Sequence, residues 1–152
     1  MSVPTATVAA FWEALYARDW PRVRTFFVDE SVYWDVPTGP KAAARGPDSI
    51  EARLRLGLDG LAGYDHHSGV VTVGRCGARD VVTTEHAETW RWPGGEVVTL
   101  PFVSVQHVVG RAIVLWKDYW DLDTLMRAAP QAWRDRLAAA DLSWAYDASA
   151  LS

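Results

Sequence analysis

Cysteine is nearly absent: among 152 residues there is only Cys76, so no internal disulfide can form. It stands in Gly74-Arg75-Cys76-Gly77-Ala78-Arg79, which reads as a turn with no base beside the thiol. Long hydrophobic runs are missing too; the longest falls far short of the ~20 residues that span a bilayer. Met1-Ser2-Val3-Pro4-Thr5 has neither the basic flank nor the apolar segment of a secretion signal, so a cytoplasmic protein is expected. There is no basic stripe, and 15 Lys and Arg face 19 Asp and Glu, which argues against a nucleic-acid partner. No glycine-rich phosphate loop and no convincing metal-ligand set occur, so no cofactor is expected. His66 and His67 are adjacent, and a strand would turn them to opposite faces, away from any shared metal.

What the chain does have is tryptophan, nine of them, within a composition that is 49% hydrophobic and 22% charged. That balance and length suit one globular domain over residues 1–152. Val8, Phe11, Trp12, Leu15 and Tyr16 recur at helical spacing within a first helix expected from Thr5 to Arg18. Asp19 can cap a second helix carrying Pro21 in its first turn. A strand is expected over Val32 to Val36, then a third helix from Gly46 to about Gly60. Strands follow at Asp65–Val73, Asp80–Trp92, Val97–His107 and Ala112–Trp120, with turns at Pro93-Gly94-Gly95 and Val109-Gly110-Arg111. Helices resume over Asp121 to Ala129, where Asp121 and Asp123 are caps, and over Pro130 to Leu142. Trp133 and Trp144 should pack that segment ahead of a frayed tail. This order of elements implies an α+β fold, a curved, mainly antiparallel sheet wrapped around N-terminal helices and enclosing a pocket.

Alternation then sorts the polar residues by face. Val82, Thr84, His86, Glu88 and Trp90 share one side of their strand; Val114, Trp116, Asp118 and Trp120 share one side of the last; Tyr33 and Asp35 share one side of the first. Asp35, His86, Glu88 and Asp118 therefore sit on faces that can converge, and convergent buried ionisable groups shift one another as acid/base catalysis requires. Rigid aromatic rings suit the wall of an apolar cavity. The expected wall is Trp34, Trp90, Trp116, Trp120, Tyr16 and Phe102.

Val32-Tyr33-Trp34-Asp35-Val36-Pro37, Thr84-Glu85-His86-Ala87-Glu88 and Trp116-Lys117-Asp118-Tyr119-Trp120-Asp121-Leu122 together resemble limonene-1,2-epoxide hydrolase. That family belongs to the nuclear transport factor 2-like superfamily, with ketosteroid isomerases and polyketide cyclases. The resemblance spans about Thr5 to Met126. It implies a cone-shaped sheet, a small apolar substrate, a homodimer through the outer sheet face, and an Asp-Arg-Asp triad that opens an epoxide. By position, Asp118 matches the water-activating Asp and Tyr33 its Tyr helper. Asp35 stands at the Asn position, His86 at the Arg and Glu88 at the proton-donating Asp. Every replacement can still hold or move a proton. The leading expectation is epoxide opening by water or an internal hydroxyl. Proton transfer of the isomerase, dehydratase or cyclase kind, and ligand binding without chemistry, stay open beside it.

Overall fold

In the computed structural model, which describes residues 1–152, the apolar stripe Val8, Phe11, Trp12 and Leu15 is the buried face of helix α1 (Val3–Tyr16). Arg18 follows with φ of 53°, a left-handed turn that brings its guanidinium to the Leu58 and Leu61 carbonyls. Helix α2 (Trp20–Arg24) starts at Asp19, whose side chain accepts the Arg22 amide. Strand β1 (Val32–Asp35) gives way to two 3₁₀ turns at Pro37 and Pro40. A three-residue strand β2 (Ala43–Arg45) then precedes helix α3 (Gly46–Leu58). The meander is β3 (Gly63–Cys76), β4 (Arg79–Arg91), β5 (Val97–Val109) and β6 (Ala112–Trp120); β3 and β5 run longer than expected, and β6 has the expected bounds. Helices α4 (Leu122–Ala128) and α5 (Gln131–Ala138) and strand β7 (Ala145–Tyr146) complete the chain.

The seven strands form one curved, unclosed sheet in the order β3-β4-β5-β6-β1-β2-β7. All neighbours are antiparallel except β1 and β6, which run parallel and set Asp35 beside Asp118. A bulge between Ser68 and Val71 bends β3. Gly69 is required there, because a Cβ would lie 2.5 Å from the Glu85 carbonyl oxygen. The main core, 26 buried residues, fills the space between the sheet's inner face and the helices. A smaller cluster of Val32, Trp34, Ala43, Leu115 and Ala148 lies on the other side.

Four expectations change. The tail does not fray: Tyr146 and Ala145 pair with Ala43 and Ala44, and the Ala148 amide donates to the Pro40 carbonyl. Cys76 ends β3 rather than lying in the turn, and it is exposed. Asp121 alone caps α4, whereas Asp123 pairs with Arg127 one turn on. An irregularity at His107/Val108 puts Ile113, not Val114, into the core with Trp116. No helix is long and apolar enough to cross a membrane.

Candidate active site

Between the inner sheet face and helices α3 to α5 lies a cavity of about 120 Å³. Fourteen of its twenty lining residues are hydrophobic, so a ligand meets mostly carbon. Tyr33, Asp35, Glu88, Asp118, Trp90, Phe102, Trp116 and Trp120 all line it. Trp133 joins them because its indole N–H donates to the Gly57 carbonyl and docks α5 on α3.

Two residues expected in the wall are elsewhere. Trp34 is buried on the opposite sheet face, where Lys117 lies over its ring; the alternation that turns Tyr33 and Asp35 inward turns Trp34 outward. Tyr16 stands behind the wall, its hydroxyl donating to Glu88 Oε1 at 2.7 Å. His86 does not line the cavity either, because its ring lies deeper, stacked on Phe102.

Asp118 is buried to 4% exposure. Its Oδ1 accepts from Ser104 Oγ and from Trp116 Nε1, each at 2.5 Å. Its Oδ2 makes no hydrogen bond and is not among the enclosed polar atoms, which leaves it open at the cavity wall. Burial, and then the Asp35 carboxylate beside it, push the Asp118 pKa well above the usual carboxylate range, against the pull of the two donors.

Glu88 has the reverse arrangement, with both oxygens engaged. Tyr16 and Tyr64 donate to Oε1 at 2.7 and 2.9 Å, and Trp90 Nε1 donates to Oε2 at 2.8 Å. Burial raises its pKa and the three donors restrain the rise. Both tyrosines are themselves pushed upward by burial and by Glu88, so they remain hydroxyl donors.

His86 touches neither carboxylate directly. Its Nε2 lies 2.8 Å from Ser104 Oγ, and its Nδ1 lies 3.4 Å from Tyr16 Oη. Ser104 has one hydrogen and gives it to Asp118, so Nε2 must carry the imidazole proton and donate to Ser104. Burial first, then His66, lowers the His86 pKa to about 3; burial and His67 lower His66 to about 4. His86 is thus a neutral ring one residue removed from each carboxylate. It is not the fixed cation that the resemblance puts there.

The cation is Arg53, from α3. Its Nη2 donates to Asp35 Oδ2 at 2.7 Å and to Thr38 Oγ1 at 2.9 Å. Asp35 Oδ1 accepts from Tyr33 at 2.9 Å and Trp120 Nε1 at 2.8 Å. No cluster of three or more His, Cys, Asp or Glu is placed to hold a metal, and His67 points outward to Thr89.

Arg53, Ser104 and Tyr64 were not anticipated. Alternation from Phe102 does place Ser104 on the buried face, a signal present in the sequence. Nothing local marks Arg53, because its position depends on how α3 docks.

The histidine shifts run downward from the ordinary value. Each histidine therefore adds stability above pH ~6.5, and that stability is lost as pH falls through about 4 and about 3. The raised carboxylates act in the opposite direction but are common to both proteins, so between pH 6.5 and 4 the stability of the wild type should fall relative to that of His86→Gln by up to about 1.4 kcal/mol per pH unit in urea unfolding. Parallel curves for the two proteins would contradict a buried neutral His86.

No family model matches the chain, and no curated protein matches it in sequence. Solved structures do. An LEH-like epoxide hydrolase from M. tuberculosis shares 25% identity over 81% of this chain and 86% of its own, with a TM-score of 0.63. A protein of ketosteroid isomerase-like fold from Catenulispora acidiphila DSM 44928 reaches 0.67 at 19% identity, over 80% of this chain and 90% of its own. A protein classed as a SnoaL-like polyketide cyclase from Shewanella putrefaciens CN-32 reaches 0.66 at 19%, over 84% and 96%. The fold is nuclear transport factor 2-like. Within this nuclear transport factor 2-like sheet, polar side chains from β1, β3, β4, β6 and helix α3 line one mainly apolar space.

Proposed function

We propose that the protein is an epoxide-hydrolase-like enzyme that opens a small, mainly apolar epoxide with water or an internal hydroxyl. One observation carries the reading: two buried carboxylates, both shifted toward their protonated forms, face one hydrophobic cavity, and Asp118 keeps an oxygen free. The M. tuberculosis structure supports it further.

In this reading ionised Asp118 accepts a proton from water at Oδ2 as the water oxygen attacks an epoxide carbon. The carbon–oxygen bond breaks, and protonated Glu88 delivers its proton to the departing oxygen, giving a diol. Return of the proton from Asp118 to Glu88 restores the starting state. Ser104 and Trp116 hold Asp118 in place, and His86 orients Ser104. Tyr33 and Asp35 are positioning groups. A base role for Asp35, which an isomerase or cyclase reading needs, is disfavoured because, unlike Glu88 and Asp118, its carboxylate is paired with a cation, Arg53.

The test is hydrolysis of a panel of cyclic and terpene-like epoxides, with diols resolved by chiral chromatography. Wild-type turnover with a loss of about 10²- to 10⁴-fold in Glu88→Gln is expected. Full activity in that variant removes Glu88 as the acid. Binding of the panel without turnover favours the ligand-binding reading.

A further inference from the structure

Arg53 has donors that the protein does not use. Its side chain is only 11% exposed, yet Nη2 alone carries its hydrogen bonds, to Asp35 and Thr38. Nε is enclosed without a partner. Nη1 also makes no hydrogen bond but is not enclosed, and Arg53 forms part of the cavity wall. The rings of Tyr33 and Trp144 lie 5.7 and 5.8 Å from its Cζ and restrict where the guanidinium can swing. Buried donors are ordinarily paired, and a guanidinium held this tightly with a free nitrogen is arranged for an acceptor from outside the chain.

We infer that Arg53 Nη1 recognises a neutral oxygen acceptor, such as a ketone or ester carbonyl, on the substrate. The inference rests on the proposed function only in taking this cavity as the substrate site; it names the class of molecule, an apolar skeleton that carries a carbonyl. Charge selects the neutral acceptor. Asp35 already balances Arg53, and Asp118 already feels Asp35. A ligand carboxylate would add another negative charge beside both, whereas a carbonyl oxygen accepts the hydrogen bond without one. A site built to donate to a substrate oxygen discriminates strongly against the analogue that lacks it.

The experiment uses binding rather than turnover. Cyclohexyl methyl ketone and isopropylcyclohexane have nearly the same shape, and Trp90, Trp116, Trp120 and Trp133 in the wall report occupancy by fluorescence. The ketone is expected to bind the intact protein at least about tenfold more tightly than the hydrocarbon. In Arg53→Lys, which keeps a cation beside Asp35 but lacks the second nitrogen, the ratio should fall to within about twofold. Arg53→Met should show the same collapse. A ratio unchanged in both variants overturns the inference, as does tighter binding of cyclohexanecarboxylate than of the ketone. Equal binding of ketone and hydrocarbon, with epoxide turnover intact, overturns this inference alone. An Arg53-dependent ketone preference without any epoxide turnover upholds it and removes the epoxide reading.

Discussion

Asp118→Asn is expected to lower kcat for epoxide hydrolysis about 10²- to 10⁴-fold while leaving the fold intact. The amide is nearly isosteric with the carboxylate, and its oxygen can still accept from Ser104 and Trp116. Removing a buried carboxylate whose ionisation burial opposes does not unpair any cation, because Arg53 belongs to Asp35. What is lost is the basic oxygen at the cavity wall. The pH profile of epoxide hydrolysis by the wild-type protein should accompany this. In the proposed reaction Asp118 is ionised and Glu88 protonated, so the rate should be bell-shaped in pH, rising to a plateau and then declining. The two limbs report the pair, and both should lie above the ordinary carboxylate range. Single-turnover kinetics between pH 4 and 9 check this. Residual activity within threefold of wild type in Asp118→Asn, with an unchanged profile, would remove Asp118 as the base.

Trp116→Ala should destabilise the protein by about 3–5 kcal/mol, measured by urea unfolding at neutral pH. The indole is 1% exposed at the centre of the core. Its ring centroid lies 3.9 Å from that of Tyr33 and 4.9 Å from that of Phe11, with Trp12 and Phe27 just beyond. Four aromatic neighbours from α1, the α2–β1 segment and β1 cannot close a void of that size, so transfer and cavity costs add. Trp116→Phe separates packing from chemistry. It keeps most of the contact area but removes one of the two donors that restrain Asp118, so the pH profile should move toward higher pH. A loss below 1 kcal/mol in Trp116→Ala would mean that the core around β6 repacks freely.

Much of this architecture can be read from one dimension. Helix α1, the face of β4 and the face of β6 from Trp116 onward follow from spacing and alternation, which are local and repeat every few residues. The short strands β2 and β7 carry no such pattern: two or three residues are too few to show alternation, and only pairing with β1 and with each other makes them strands. Trp34 shows the cost of reading a residue type without its face. It is aromatic and buried, and it lies on the wrong side of the sheet.

The sequence by itself determined the fold class, the inward faces, and the fact that Asp35, Glu88 and Asp118 point toward one interior. Period-two geometry puts each of them on the same strand face as a buried aromatic ring, Tyr33, Trp90 or Trp116. Tertiary structure decided the wiring. The register between β5 and β6 puts Ser104 opposite Asp118 and interposes it before His86. The parallel pairing of β1 with β6 sets Asp35 beside Asp118, and the docking of α3 delivers Arg53 to Asp35. Desolvation then fixes which groups carry charge, leaving His86 neutral and both Glu88 and Asp118 shifted toward protonation. Those properties depend on which atoms lie within a few ångströms across the chain, and burial is a property of the whole fold, with no local pattern in the sequence to report it.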